Sequence, residues 1–171
     1  LTALEYPDLV DRLVLVSASA GIRDESARAA RRSKDMILAN RIEAIGLDAF
    51  LDEWLVGPIA GTSHLDEHIR RRDRTIREEN TAIGLAAALR GLGQGTQPYV
   101  GDRIGELRIP LLAITGGADA TYGHLAIDMT GAAPDGTHVT IAGAGHNVIL
   151  EEPDEVRHVV LEFIERNPAA E

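Results

Sequence analysis

The segment Ile109-Pro-Leu-Leu-Ala-Ile-Thr-Gly-Gly-Ala-Asp119 decides the fold. Its apolar core does not alternate with polar residues. A short, continuous apolar run closed by glycines reads as a strand buried on both faces of a parallel sheet. Gly116-Gly-Ala-Asp119 is then the loop that leaves the strand, and it ends in a carboxylate. Two other stretches follow the same plan. Arg12-Leu-Val-Leu-Val16 reads as a second doubly buried strand, left through the loop Ser17-Ala-Ser-Ala-Gly21. Thr137-His-Val-Thr-Ile-Ala142 reads as a third, left through Gly143-Ala-Gly-His146. Helices fall between and around them. Residues 1–6 read as the end of a helix stopped by Pro7, and a helix is expected around Tyr122–Thr130. A last amphipathic helix runs from about Asp154 to Arg166, with Val156, Val159, Val160, Phe163 and Ile164 on its buried side. Strands alternating with helices make this a parallel α/β sheet.

Between the first and second strands the pattern changes. From about Ser26 to Leu92 the chain reads as helical, with apolar positions at Met36, Ile37, Ile42, Ile45 and Phe50 and breaks at Gly46, Gly57-Pro58 and Gly61. A helical insert of this length reads as a lid or cap. Gly91-Leu-Gly-Gln-Gly-Thr-Gln-Pro98 is a Gly-rich joint returning the chain to the sheet. The expected organisation is an α/β core over 1–22, a helical cap over 23–92 and the rest of the core over 93–171.

The bulk properties exclude several functional classes. A length of 171 residues, 44% hydrophobic and 26% charged, suits one soluble globular domain. No apolar run is long enough to span a bilayer and no secretory signal is read at the start, so a cytoplasmic location is expected. The absence of cysteine removes disulfides and thiolate metal sites. A formal charge of −10 argues against a nucleic-acid-binding surface. The positive charge is nonetheless clustered, at Arg28, Arg31, Arg32 and Lys34 and again at Arg70, Arg71, Arg72, Arg74 and Arg77. Solvated helix faces account for most of these, with a minority free to face an anionic substrate.

Ligands of parallel α/β sheets bind beyond the carboxyl ends of the strands. Asp119 and His146 stand in Gly-rich loops at two such ends. A carboxylate beside an imidazole sets its tautomer and stabilises the imidazolium, as an acid–base triad requires. The competing reading makes Asp119 a helix cap and His146 a loop histidine. Their matching positions and their order favour catalysis.

These residues carry a family resemblance. The segments Ile109–Asp119, Ala142-Gly-Ala-Gly-His146-Asn147 and Leu150-Glu-Glu-Pro153 resemble the last third of α/β-hydrolases. Ser17–Ile22, Arg28-Ala-Ala-Arg31 ahead of Asp35, Phe50, Trp54 and Pro58, Arg77 and Asn80, Leu85–Leu89 and Gln97-Pro98 resemble the 2-succinyl-6-hydroxy-2,4-cyclohexadiene-1-carboxylate synthases of menaquinone biosynthesis. The resemblance covers nearly the whole chain. It implies the C-terminal part of an α/β-hydrolase fold and a carbon–oxygen lyase that eliminates pyruvate through a Ser-His-Asp triad, without metal or organic cofactor. It assigns Asp119 and His146 as acid and base, and Arg31, Trp54 and Arg77 as residues binding a small carboxylate substrate. Guanidinium groups suit such a substrate because they pair carboxylates bidentately. Two buried arginines without partners of their own would demand anionic ligands.

The resemblance places the family's G-x-S-x-G nucleophile elbow upstream of Leu1, and the chain, which opens without Met, reads as a piece of a longer protein. By itself this chain is then expected to show no turnover. Two motifs imitate active sites. Ser19, in Ser17-Ala-Ser-Ala-Gly21, lacks the first glycine of an elbow and is not followed directly by a helix. His64-Leu-Asp-Glu-His68 matches H-x-x-E-H, whose two imidazoles would share a helix face as a zinc site needs, but a solvated cap helix is the better reading. The alternatives to the lyase are a hydrolase of the same fold, acting on an ester or carbon–carbon bond, and a non-enzymatic remnant binding a partner through an unpaired sheet edge.

Overall fold

The computed structural model describes residues 1–57, 62 and 64–168, so the breaks read at Pro58 and Gly61 lie outside the described residues. The described chain forms two compact units, residues 1–20 with 100–171 and residues 21–99.

The first unit is built on three parallel strands, β1 (Leu13–Val16), β2 (Leu111–Gly116) and β3 (Gly136–Ile141), in the order β1-β2-β3. The register sets Leu111 opposite Leu13 and Gly136, and Ile114 opposite Val16 and Val139. Central β2 is buried along its whole length. Its side chains alternate between two cores, which is why its sequence does not alternate in polarity. On one face Leu112 and Ile114 pack with Ile141, Val148, Val156 and Phe163. On the other, Leu111 packs with Ala3, Ile104, Leu107 and Met129. The first core is closed by α7 (Val148–Glu151) and α8 (Pro153–Arg166), and the second by α1 (Thr2–Glu5) and α6 (Ala120–Ala132). Fully burying an aliphatic side chain contributes about 1.5–3 kcal/mol, so these two layers dominate the unit's stability.

Two expectations change here. Strand β1 is half-buried along its length, not sealed on both faces, and among the described residues its one strand neighbour is β2. In α8, Val156 and Phe163 are buried, but Ile164 is 41% exposed on the rim of the stripe.

The second unit contains α2 (Glu25–Ile45), α3 (Leu47–Trp54), α4 (Glu67–Glu78) and α5 (Ala82–Leu92). Asp24 caps α2 by accepting from the Ala27 N–H at 2.7 Å, and Thr81 caps α5 by accepting from Gly84 at 3.0 Å. Gly46 separates α2 from α3, as expected. Helices α2 and α5 pack together, with Ala39 and Ala86 fully buried. Ile42, Phe50 and Leu51 form the core, and Phe50 stacks on Trp54 at 5.6 Å. Met36 and Ile37 are not part of it, being 44% and 69% exposed. The buried stripe of α2 is Asp35, Ala39 and Ile42, and the helical turn points residues 36 and 37 away from it.

The loops after β2 and β3 bind each other through the backbone. Gly117 N–H donates to Ile141 C=O at 2.8 Å and Ala118 N–H to Ala144 C=O at 2.9 Å. This approach requires a glycine at 116, where an added Cβ would run into the carbonyl oxygens of Ala144 and Gly145. At Gly117 a Cβ would meet nothing nearer than 3.4 Å. Gly116→Ala is therefore expected to cost about 3 kcal/mol in urea unfolding, and Gly117→Ala under about 1 kcal/mol. Equal shifts of the two midpoints would mean that the loops separate without strain.

Candidate active site

Asp119 ends the loop after β2 and is the N-cap of α6, and His146 ends the loop after β3. Because the strands are parallel and in register, both loops emerge at the same end of the sheet. The Asp119 carboxylate uses its two oxygens separately. Oδ1 accepts from the Tyr122 N–H at 3.2 Å, and Oδ2 lies 2.6 Å from His146 Nδ1. The cap and the acid–base reading were posed as alternatives, and one side chain makes both contacts. The Tyr122 ring packs on the imidazole with centroids 4.4 Å apart. The Asp119 side chain is 10% exposed and that of His146 30%, so the pair is sheltered yet reachable. With Nδ1 donating to the carboxylate, Nε2 carries the lone pair, and it has no hydrogen bond among the described residues. Such an imidazole can accept a proton at Nε2 while the carboxylate stabilises the resulting cation.

The other core histidine is set up differently. His138 on β3 holds buried Thr115 through Nε2 at 2.8 Å, and burial pushes its pKa down. It serves the sheet.

Arg77 and Trp54 come together in the helical unit. They border a cavity of about 360 Å³ with apolar walls that include Ile42, Leu51 and Leu89, and Arg77 and Asn80 supply its polar side chains. Arg31 is not among the lining residues. Nor is either arginine without a partner, as the sequence argument assumed. Arg77 Nε bonds Asp73 at 2.8 Å, and Arg31 Nε bonds Asp35 at 2.8 Å while its Nη1 reaches Gln94 at 2.5 Å. Each acid is one helical turn from its arginine, where side chains meet on a common face. The arginines are therefore neutralised by their own helices before any ligand arrives, and burial alone does not demand an anion. For Arg77 the hydrogen bond to Asp73 is made by Nε, and the residue lines the cavity. Asp35 is itself buried, and its Oδ2 has no partner among the described residues.

Most of the remaining arginines in the clusters behave as solvated faces. Arg28 pairs with Glu25, Arg71 with Glu67, and Arg74 with Asp52 and Glu78. Ser19 does not sit on an elbow: β1 ends at Val16, and the next helix starts only at Glu25. Besides Gly21, the positive φ in this loop, 44°, falls on Ser17, whose Oγ is buried. His64 precedes α4, which begins at Glu67, so the two histidines of H-x-x-E-H do not share a helix face. No group of three potential metal ligands occurs among the described residues. No described helix is long and apolar enough to cross a membrane.

Sequence reasoning gave no site role to Tyr122, Asp73 or Glu151, although Glu151 lies in the quoted segment Leu150-Glu-Glu-Pro153. Asp73 and Tyr122 carried a weak signal, four residues before Arg77 and three after Asp119. Glu151 accepts from the backbone on both sides of His146, a contact that only the folded loop reveals.

No family model matches the chain. Among curated proteins it is 34% identical over 163 residues to a putative 2-succinyl-6-hydroxy-2,4-cyclohexadiene-1-carboxylate synthase of Bacillus subtilis, covering 95% of this chain and 60% of that protein. It is 28% identical over 141 residues to the synthase of Salmonella heidelberg, covering 82% of this chain and 53% of that protein. Among solved structures, MenH from S. aureus matches with a TM-score of 0.89 at 27% identity, over 92% of this chain and 60% of that one. A thermophilic esterase from Thermogutta terrifontis matches with a TM-score of 0.77 at 24% identity, over 96% of this chain and 59% of that one, a likeness of fold alone. The chain thus spans between about half and 60% of the length of these relatives. It has the architecture of the C-terminal part of an α/β-hydrolase fold. By fold the chain is the C-terminal part of an α/β-hydrolase, and the proteins it is similar to include 2-succinyl-6-hydroxy-2,4-cyclohexadiene-1-carboxylate synthases.

Proposed function

We propose that this chain supplies the acid, the base and part of the substrate pocket of a carbon–oxygen lyase of menaquinone biosynthesis. The reaction eliminates pyruvate from a succinyl-cyclohexene carboxylate intermediate. The observation that carries the reading is the 2.6 Å contact between Asp119 Oδ2 and His146 Nδ1, which leaves Nε2 open. The names of the relatives direct that dyad toward the synthase reaction. His146 is the base, acting through a serine supplied by the part of the fold beyond the matched region. One proton leaves carbon, a carbon–carbon double bond forms, and the carbon–oxygen bond to the leaving group breaks. The imidazolium then holds a proton that the departing enolate of pyruvate can take up. Every electron pair stays within substrate and products, so the step is redox-neutral and needs no redox cofactor. Arg77, with Asn80 and Trp54 beside it, binds a substrate carboxylate through the part of its guanidinium that Asp73 leaves open. Arg31 is assigned a second carboxylate on resemblance alone. The enzyme is assigned to the cytoplasm, acting on a small anionic substrate.

A hydrolase of an ester or carbon–carbon bond is the second reading, and the apolar lining of the cavity favours it. Arg77 separates the two. Removing it alone would leave Asp73, only 12% exposed, without its partner, so Arg77→Ala is best combined with Asp73→Asn. In the intact enzyme this pair of changes is expected to lower kcat/KM for pyruvate release about ten- to hundredfold, the value of one charge-assisted hydrogen bond. Cleavage of a neutral p-nitrophenyl ester should hardly change. Equal losses on both substrates would move the hydrolase ahead.

Asp119 offers a second test, because its two contacts respond differently to substitution. In Asp119→Asn the side-chain oxygen can still cap α6, but the amide cannot stabilise an imidazolium. Stability should stay within about 0.5 kcal/mol while turnover falls roughly 10⁴-fold. Asp119→Ala should lose about 1 kcal/mol of stability as well. Turnover surviving in the asparagine variant would rule out the triad role.

A further inference from the structure

His146 is held through its side chain by Asp119 and Tyr122, and through its backbone by a third residue. Gly145 N–H donates to Glu151 Oε2 at 2.6 Å, and Asn147 N–H donates to Oε1 of the same carboxylate at 3.2 Å. One carboxylate thus spans the two amides that flank the histidine. The group lies directly over residue 145, where a Cβ would meet its oxygens at 3.2 and 3.3 Å. Glu151 ends the single turn α7, whose first residue, Val148, is fully buried among Leu112, Ile114 and Phe163. The strap therefore runs from the sheet core, where Val148 anchors it, to the histidine loop.

We propose that Glu151 is a positioning residue for His146. By fixing the peptide groups on both sides, it sets where the imidazole stands relative to Asp119 Oδ2. This rests on reading His146 as the base. A hydrogen bond from an amide to a carboxylate is stronger than one between neutral groups, and here two of them act on one short loop, on either side of the peptide that joins Gly145 to His146. Without them Gly143, at φ +80°, and Gly145 leave the loop free to shift. A displacement of about 1 Å at a catalytic group can cost roughly a hundredfold in rate.

The alternative is that Glu151 only caps a short helix. The intact enzyme distinguishes the two through Glu151→Gln, which keeps the shape but offers one oxygen in place of two, and through Glu151→Ala. Positioning predicts that kcat for pyruvate release falls roughly ten- to hundredfold with KM within about twofold. It also predicts that the proton resonance of His146 Nδ1–H moves upfield or broadens, more in the alanine variant than in the glutamine one. Should the alanine variant not fold, the glutamine variant carries both measurements. A lower melting temperature with unchanged kcat and an unchanged Nδ1–H resonance would overturn the proposal. Absence of pyruvate release in the wild type would instead remove the lyase reading, and the resonance would still decide whether Glu151 positions the imidazole.

Discussion

Asp119 carries two obligations on one carboxylate. Oδ1 takes the Tyr122 amide at the start of α6, and Oδ2 takes His146 Nδ1 from the neighbouring loop. The orientation that caps the helix therefore also aims the second oxygen at the imidazole. Around this point the loop after β2 donates backbone hydrogen bonds from Gly117 and Ala118 to the end of β3 and the loop after it, and the approach is close enough to exclude a side chain at residue 116. Tyr122 joins the two contacts, since its amide fixes the acid and its ring bears on the base. Stability and chemistry draw here on the same hydrogen bonds, which is how a site is preorganised at no separate cost in ordering.

The helical unit follows a different principle. Its arginines are largely matched to carboxylates on their own or neighbouring helices, as with Arg77 and Asp73, Arg31 and Asp35, and Arg90 with Glu43. The more exposed of the helical unit's pairs, such as Arg41 with Glu53, contribute little to stability. Their greater effect is on direction. A carboxylate that engages Nε turns the rest of the planar fork one way, which is useful at a cavity wall such as that beside Arg77. The in-chain pairs weaken the inference from buried charge to anionic ligand, and the substrate assignment leans correspondingly on the relatives.

Much of the fold was legible because buried parallel strands and amphipathic helices write themselves into hydrophobic pattern. Strand β2 was readable from Leu111–Ile114 because both of its faces are covered, and β3 and its exit loop were found within a residue or two. Pattern failed where burial depends on neighbours. Met36, Ile37 and Ile164 are apolar and helical, yet exposed, since period alone does not say which stripe meets a partner. Likewise β1 has a doubly buried composition but is only half-buried, with β2 as its one strand neighbour among the described residues.

The same division runs through the site. Local order along the chain determined that Asp119 and His146 follow strands through Gly-rich loops, because a strand, a turn and a cap are each specified within a few residues. Their meeting across 27 positions was decided by the parallel register of β2 and β3, which no local signal encodes. Tertiary structure alone decided that Arg31 and Arg77 already have partners, and that Glu151 reaches back to the amides beside His146. Composition supplies the charged groups. Which of them pair depends on side-chain direction and on loop closure, quantities that exist only once the chain has folded.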